Sequence, residues 1–179
     1  MLGTQSLADL SMDELARQAG VSRANLYRLF PGKAALFKAI VLAYSPFEPV
    51  MGLLSRMGDR PPDELIPELL RTAYRTMAGR TGIVRTLLFE ATSMTPETQQ
   101  TFGETGMRAF GTLAMYLAGQ MEAGRLRRVA PLVALQSLIG GVMFHLLSAP
   151  LLGEMAGVDG EQAVTQMAET WLRGMRPDR

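Results

Sequence analysis

Apolar side chains recur along this chain at spacings of three and four, and no period of two is sustained. The pattern predicts an all-α fold. Leu15 and Ala19, with Ala16 beside them, give a short first helix one apolar side. Leu26, Leu29 and Phe30 share one face of a second. A third helix begins at Lys33, carrying Leu36, Phe37 and Ile40, and continues to Tyr44. Ser45-Pro46-Phe47-Glu48-Pro49 then removes two backbone donors and predicts a break, with helix resuming over 51–57. Beyond a loop at 58–62, Leu65, Leu69, Ala73 and Met77 repeat at four, with Ile66 and Leu70 alongside, up to Gly79. Further helices are predicted over 83–91, from Thr95-Pro96-Glu97 to about Glu122, and within 129–153. The last opens at Asp159, with Val164, Met167, Ala168, Trp171, Leu172 and Met175 as its stripe. Gly103, Gly106, Gly111 and Gly119 weaken the long helix and suggest close helix crossings or room for a ligand.

The first two helices are specified at each step. Ser11 can cap the first, and Glu14, three residues on, can complete a capping box. Gly20 can take the left-handed conformation that turns the chain, Val21 fills the corner, and Ser22 caps the second helix. That helix is too short to serve packing alone. Its other face carries Arg23, Ala24, Asn25, Tyr27 and Arg28. Arginine can pair with guanine and asparagine with adenine, while alanine admits a thymine methyl. Lys33, opening the next helix after Pro31-Gly32, suits a phosphate.

The string Ala19-Gly20-Val21-Ser22, three variable residues, Leu26-Tyr27, Phe30 and Lys33 resembles the tetracycline-repressor (TetR-type) transcriptional regulators. The resemblance is specific over 11–40 and architectural over 60–175. It implies a helix-turn-helix head at 1–45 and a ligand-binding, dimerising body at 46–179, joined in a homodimer through the last two long helices. It implies Arg23, Ala24 and Asn25 as base readers and Ser22, Tyr27 and Lys33 as phosphate contacts, with Arg28 at the edge of either class. Gly3 matches the family glycine that follows a first amphipathic helix, so that helix is expected to be missing, leaving Leu15, Leu36, Phe37 and Ile40 short of cover.

Charge adds little. The net charge is +1, with Arg17, Arg23, Arg28, Lys33 and Lys38 against Asp9, Asp13 and Glu14 over residues 1–38. No cysteine is present, and no signal-peptide pattern opens the chain, so a soluble cytoplasmic protein is the default. Residues 129–153 carry no Asp, Glu, Lys or Arg, yet contain Gln136, Ser137, His145, Ser148 and two prolines. A helix buried against its own body and a second subunit explains this better than a membrane span. Leu135, Leu138, Gly141 and His145, with Met167 and Trp171, are expected at the dimer interface. Arg125-Leu126-Arg127-Arg128 reads as cations complementing a helix end, rather than as a second DNA contact.

No catalytic constellation, metal cluster or cofactor loop appears, so no enzyme, metal or cofactor is expected. Tyr74, Phe89, Met115, Tyr116 and Phe144 are expected to line an apolar pocket; several of the 13 methionines lie in the body, where they suit such a pocket or ordinary core filling. The resulting expectation is a repressor that binds palindromic operator DNA and is released by a small apolar or aromatic effector. The alternative is a helical small-molecule-binding dimer that has lost DNA binding through N-terminal truncation.

Overall fold

The computed structural model describes residues 11–80, 82, 84–85, 96–152 and 157–177, with backbone alone over 96–105. The described residues are helical wherever they are regular. The helices are α1 (Met12–Gln18), α2 (Arg23–Leu29), α3 (Lys33–Tyr44), α4 (Phe47–Met57), α5 (Pro62–Met77), α6 (Pro96–Glu122), α7 (Pro131–Leu152) and α8 (Gly160–Gly174). The chain groups into two compact units, one of residues 1–45 with 79–106 and one of 46–78 with 107–179. The expected division at 45/46 runs through continuous stretches, whereas this grouping by contacts sets 79–106 with the first unit. The expected helix at 83–91 and the first ten residues lie outside the described residues, apart from Val84 and Arg85, which are helical.

In the first unit, Met12, Ala16 and Leu26 are buried together, with Leu15, Phe30 and Leu36 packed against them. Phe37 and Val41 of α3 are also buried, while Leu36 and Ile40 remain half-buried. Gly20 adopts φ +67°, the left-handed turn expected of it. Two local expectations fail. Val21 is 39% exposed, so it does not fill the corner, and Leu29 is 63% exposed. A two-turn helix presents only a narrow face, and Leu26 with Phe30, four apart, already occupies it.

The second unit is built around α5, which packs against α4, α7 and α8. Leu65, Ile66, Leu69, Leu70 and Met77 are buried on the predicted stripe. Fully burying such a side chain contributes about 1.5–3 kcal/mol, so this stripe anchors the unit. Helix α4 begins at Phe47, earlier than the two prolines suggested. Pro49 falls in its first turn, where a missing N–H breaks no helical bond. Phe47 meets Phe110 edge to face, ring centroids 5.6 Å apart.

Helix α6 buries Ala109, Leu113, Leu117 and Met121, a stripe at four-residue spacing. Its glycines are not close crossings at the two positions whose surroundings are described: a Cβ on Gly111 or Gly119 would meet nothing within 4 Å. Helix α7 buries Ala134, Leu135, Leu138, Val142 and Leu146, and leaves Leu132, Val133, Phe144, Leu151 and Leu152 exposed. It is long and apolar enough to cross a membrane, although it is only partly buried. Its apolar residues surround the helix, so one chain covers one side and leaves the other open.

Candidate nucleic-acid interface

Helix α2 is held by the devices its sequence announces. The Ser22 hydroxyl accepts from the Asn25 N–H at 3.2 Å and caps the helix. One turn earlier, Ser11 accepts from the Glu14 N–H at 3.1 Å. The second half of the expected capping box is absent, because the Glu14 carboxylate turns to Arg17 and Gln18. Three bonds to the carboxylate, two of them from a guanidinium cation, outcompete one backbone donor. The Arg17 and Gln18 bonds hold the Glu14 carboxyl at about 2, well below the usual carboxylate range.

With Leu26 buried, the remaining face of α2 is presented to solvent. Ser22, Arg23, Ala24, Asn25, Tyr27 and Arg28 are all exposed, and Lys33 stands half-buried at the start of α3. The side chains on this face are not idle. Arg23 pairs with Asp13 of α1 at 2.9 Å and lies 5.6 Å over the Tyr27 ring. Arg28 donates to Asn25 Oδ1 at 2.7 Å. Sequence reasoning assigned these residues to one face and missed their mutual contacts. Helical spacing could have revealed two of them, since Asn25 and Arg28 are three apart and Arg23 and Tyr27 four. The Asp13 contact joins two helices, and no local spacing announces it.

The residues expected to form an effector pocket are scattered. The Tyr74 ring sits 6.0 Å from that of His145, and the Tyr116 hydroxyl donates to the Arg60 carbonyl at 3.0 Å. Burial pushes the Tyr116 phenol up to about 12. Met115 and Phe144, however, are 69% and 67% exposed, so neither lines an interior cavity of the single chain. Each lies two residues, or 200° of helix, from a buried stripe residue, Leu113 and Val142 respectively. Phe89 is outside the described residues.

The expected dimer residues also divide. Leu135 and Leu138 are buried within the chain and do not offer surface to a partner. Trp171 donates to Ser137 Oγ at 2.9 Å, and Met167 comes near Gly141, so these residues join α7 to α8. The outward apolar face of α7 is the one carrying Val133, Gly140 and Phe144. Among the described residues, no group of acidic, histidine or cysteine side chains is arranged to hold a metal.

Residues 1–40 match the family of bacterial regulatory proteins designated tetR. The chain is 23% identical over 180 residues to the HTH-type transcriptional regulator EthR of Mycolicibacterium smegmatis, covering 98% of this chain and 81% of the relative. Its fold is similar to that of a Clostridium perfringens protein described as a fatty acid metabolism regulator. That structure has a TM-score of 0.80 at 14% identity, with 97% of this chain and 93% of the other covered. It is also similar to Thermus thermophilus FadR, a transcriptional repressor solved in complex with lauroyl-CoA. Here the TM-score is 0.58 at 21% identity, with 96% and 88% covered.

Proposed function

We propose that this chain, a tetR-family transcriptional regulator by the match of its head and the fold along its length, is a homodimeric cytoplasmic repressor released by a small apolar or aromatic effector. The observation that carries the DNA-reading half is the face of α2. Arg23, Ala24, Asn25, Tyr27 and Arg28 are exposed together on a helix whose opposite side is anchored by buried Leu26. Arg23 and Asn25 supply the donors and acceptors that distinguish bases, and Ala24 leaves room for close approach. Ser22, Tyr27 and Lys33 flank them as phosphate contacts that fix register. The head among the described residues is capped, turned and packed, so the alternative of a dimer that has lost DNA binding is not favoured.

A homodimer reads an inverted repeat whose half-sites lie one turn of DNA apart, about 34–36 Å. The outward apolar face of α7 supports the dimer, because it is uncharged and needs a cover. An effector acts by preferring a body shape that spaces the two reading helices differently, and can shift the balance only by its differential affinity. The lauroyl-CoA bound to the Thermus relative supports an effector with a large apolar part. Selection of bound duplexes from a randomised pool tests the reading. An enriched palindrome, protected by the dimer and released by medium-chain acyl or aromatic compounds, is expected. Enrichment of no sequence would refute it.

A further inference from the structure

The basic turn Arg125-Leu126-Arg127-Arg128 is not used by the DNA-reading face, and its surroundings give it another role. At this end of the second unit, a cleft of about 690 Å³ opens between the start of α5, the turn after α6, and α8. Arg71, Arg125, Arg173 and Arg176 line it, with Leu172 contributing apolar surface and Leu126 buried beneath. Two acids, Asp63 and Glu169, share the wall. Arg173 reaches Glu169 at 3.6 Å, and Arg71 is held by Glu68 at 2.7 Å. Among the described residues, Arg125 and Arg176 have no ion-pair partner, so the cleft keeps an excess of positive charge.

Arg125 is also preorganised. Its Nε donates to the side-chain oxygen of Gln120, a polar residue only 5% exposed, which leaves the Nη donors uncommitted. Orienting a guanidinium beforehand lowers the entropy cost of forming a two-pronged bond to an oxyanion. Leu126, 3% exposed, fixes the turn from beneath. A second cleft, on the other side of Arg71, makes the contrast. There Arg75 is closed by two bonds to Glu161, at 2.8 and 2.7 Å, and Arg71 by Glu68, so its charge is already satisfied.

We propose that the cleft between α5, the 123–130 turn and α8 binds a small amphiphilic anion, a phosphate or carboxylate with a short apolar chain. Arg125 and Arg176 take its oxygens, and Leu172 faces its carbons. The site shares no residue with the α2 face and does not depend on the DNA-reading assignment.

Calorimetric titration of the full chain with octyl phosphate, octanoate and inorganic phosphate tests it. Octyl phosphate is expected to saturate one site per chain. The double variant Arg125→Gln/Arg176→Gln should weaken it by roughly tenfold or more, as loss of charge-assisted pairs requires. Arg128→Gln, exposed in the same turn but outside the cleft, should leave it unchanged. Circular dichroism of the double variant should match the parent, since both arginines are exposed. Three results would each overturn the proposal: no saturable binding of octyl phosphate or octanoate, equal weakening by Arg128→Gln, or inorganic phosphate binding as tightly as octyl phosphate. Sedimentation with phosphatidylglycerol vesicles, without binding of the soluble probes, would overturn it in favour of a membrane headgroup.

Discussion

Arg28 donates a hydrogen bond to Oδ1 of Asn25, 2.7 Å away, so the amide proposed to read a base is already engaged on one side in the free protein. Adenine recognition uses that oxygen as an acceptor and the amide nitrogen as a donor. If Asn25 reads a base as proposed, its oxygen has a second lone pair and its amide nitrogen carries no bond from Arg28, so the Arg28 bond fixes the orientation of the amide toward the groove. Asn25→Ala should lose about 1–3 kcal/mol at its preferred base and relax specificity there. Lys33→Ala should instead weaken binding to all sequences and lower the salt slope by about 1. Fluorescence anisotropy on matched and mismatched duplexes at several salt concentrations separates the two. Equal losses on every sequence for Asn25→Ala would remove it from the base readers.

A second restraint on the reading face comes from Asp13, which holds Arg23 at 2.9 Å. In the proposed reading mode the Asp13 carboxylate, which engages Arg23 through Nε, competes with the negatively charged DNA for that guanidinium. Both side chains are well exposed, so the pair contributes only about 0.2–1 kcal/mol. Asp13→Asn should accordingly tighten operator binding, by up to about fivefold at low salt. An unchanged or weaker affinity would show that Arg23 does not leave Asp13 on binding.

The helix-turn-helix was legible because its information is local. Ser11, Gly20 and Ser22 each act on residues within one turn, and the structure places each as its type requires. The stripe of α5 was legible too, since its polar positions mark the outer side. In α7 the signal vanishes. Residues 129–153 have no charged side chain, so nothing in the pattern distinguishes inside from outside. The pattern puts Leu135 and Leu138 at a subunit interface and Phe144 in a pocket, whereas within the single chain the two leucines are buried and the phenylalanine exposed. Met115 on α6, also expected in the pocket, is likewise exposed in the single chain. Contacts that join separate elements, such as Asp13 with Arg23 or Trp171 with Ser137, leave no trace in local spacing.

That outward face makes the dimer testable by opposing substitutions. Phe144 is 67% exposed in the single chain, so Phe144→Arg should leave the fold intact and shift the sedimenting species from dimer to monomer. Leu138, 3% exposed, belongs to the core of the chain. Leu138→Ala should cost about 2–5 kcal/mol of stability through the cavity it leaves. A dimer unaffected by Phe144→Arg would place the subunit contact elsewhere.

The glycines predict opposite signs in two helices. Gly111 and Gly119 of α6 have open space where a Cβ would go, and each lies inside a regular helix. Their replacement by alanine should raise stability by about 0.5–1 kcal/mol each, by restricting the unfolded chain and improving helix propensity. Gly160 opens α8 directly against Tyr74, and a Cβ there would run into both the hydroxyl and the ring. Gly160→Ala should lower the melting temperature, because the tyrosine must swing off the α5–α8 contact. Chemical denaturation of the three variants gives the comparison. Destabilisation by Gly111→Ala would indicate that something outside the single chain occupies that space.

Acid should loosen the reading head through Glu14. Its carboxyl is held at about 2 by bonds from Arg17 and Gln18, against 4.5 for the same group without them. A carboxyl whose folded value is depressed stabilises the folded form above its unfolded value, and that contribution is lost as pH falls through the folded one. The head is therefore expected to weaken between pH 4.5 and about 2, with the carboxyl charged throughout the neutral range. The Glu14 side chain is partly exposed, so salt should blunt the effect. Glu14→Gln should flatten the acid dependence of α1, whereas Ser11→Ala should lower stability by about 1 kcal/mol at any pH, because its cap involves no titrating group. Carboxyl chemical shifts followed from pH 6 to 2 in the full chain read the Glu14 titration directly. A midpoint near 4.5 would mean that Arg17 and Gln18 do not hold the carboxylate in solution.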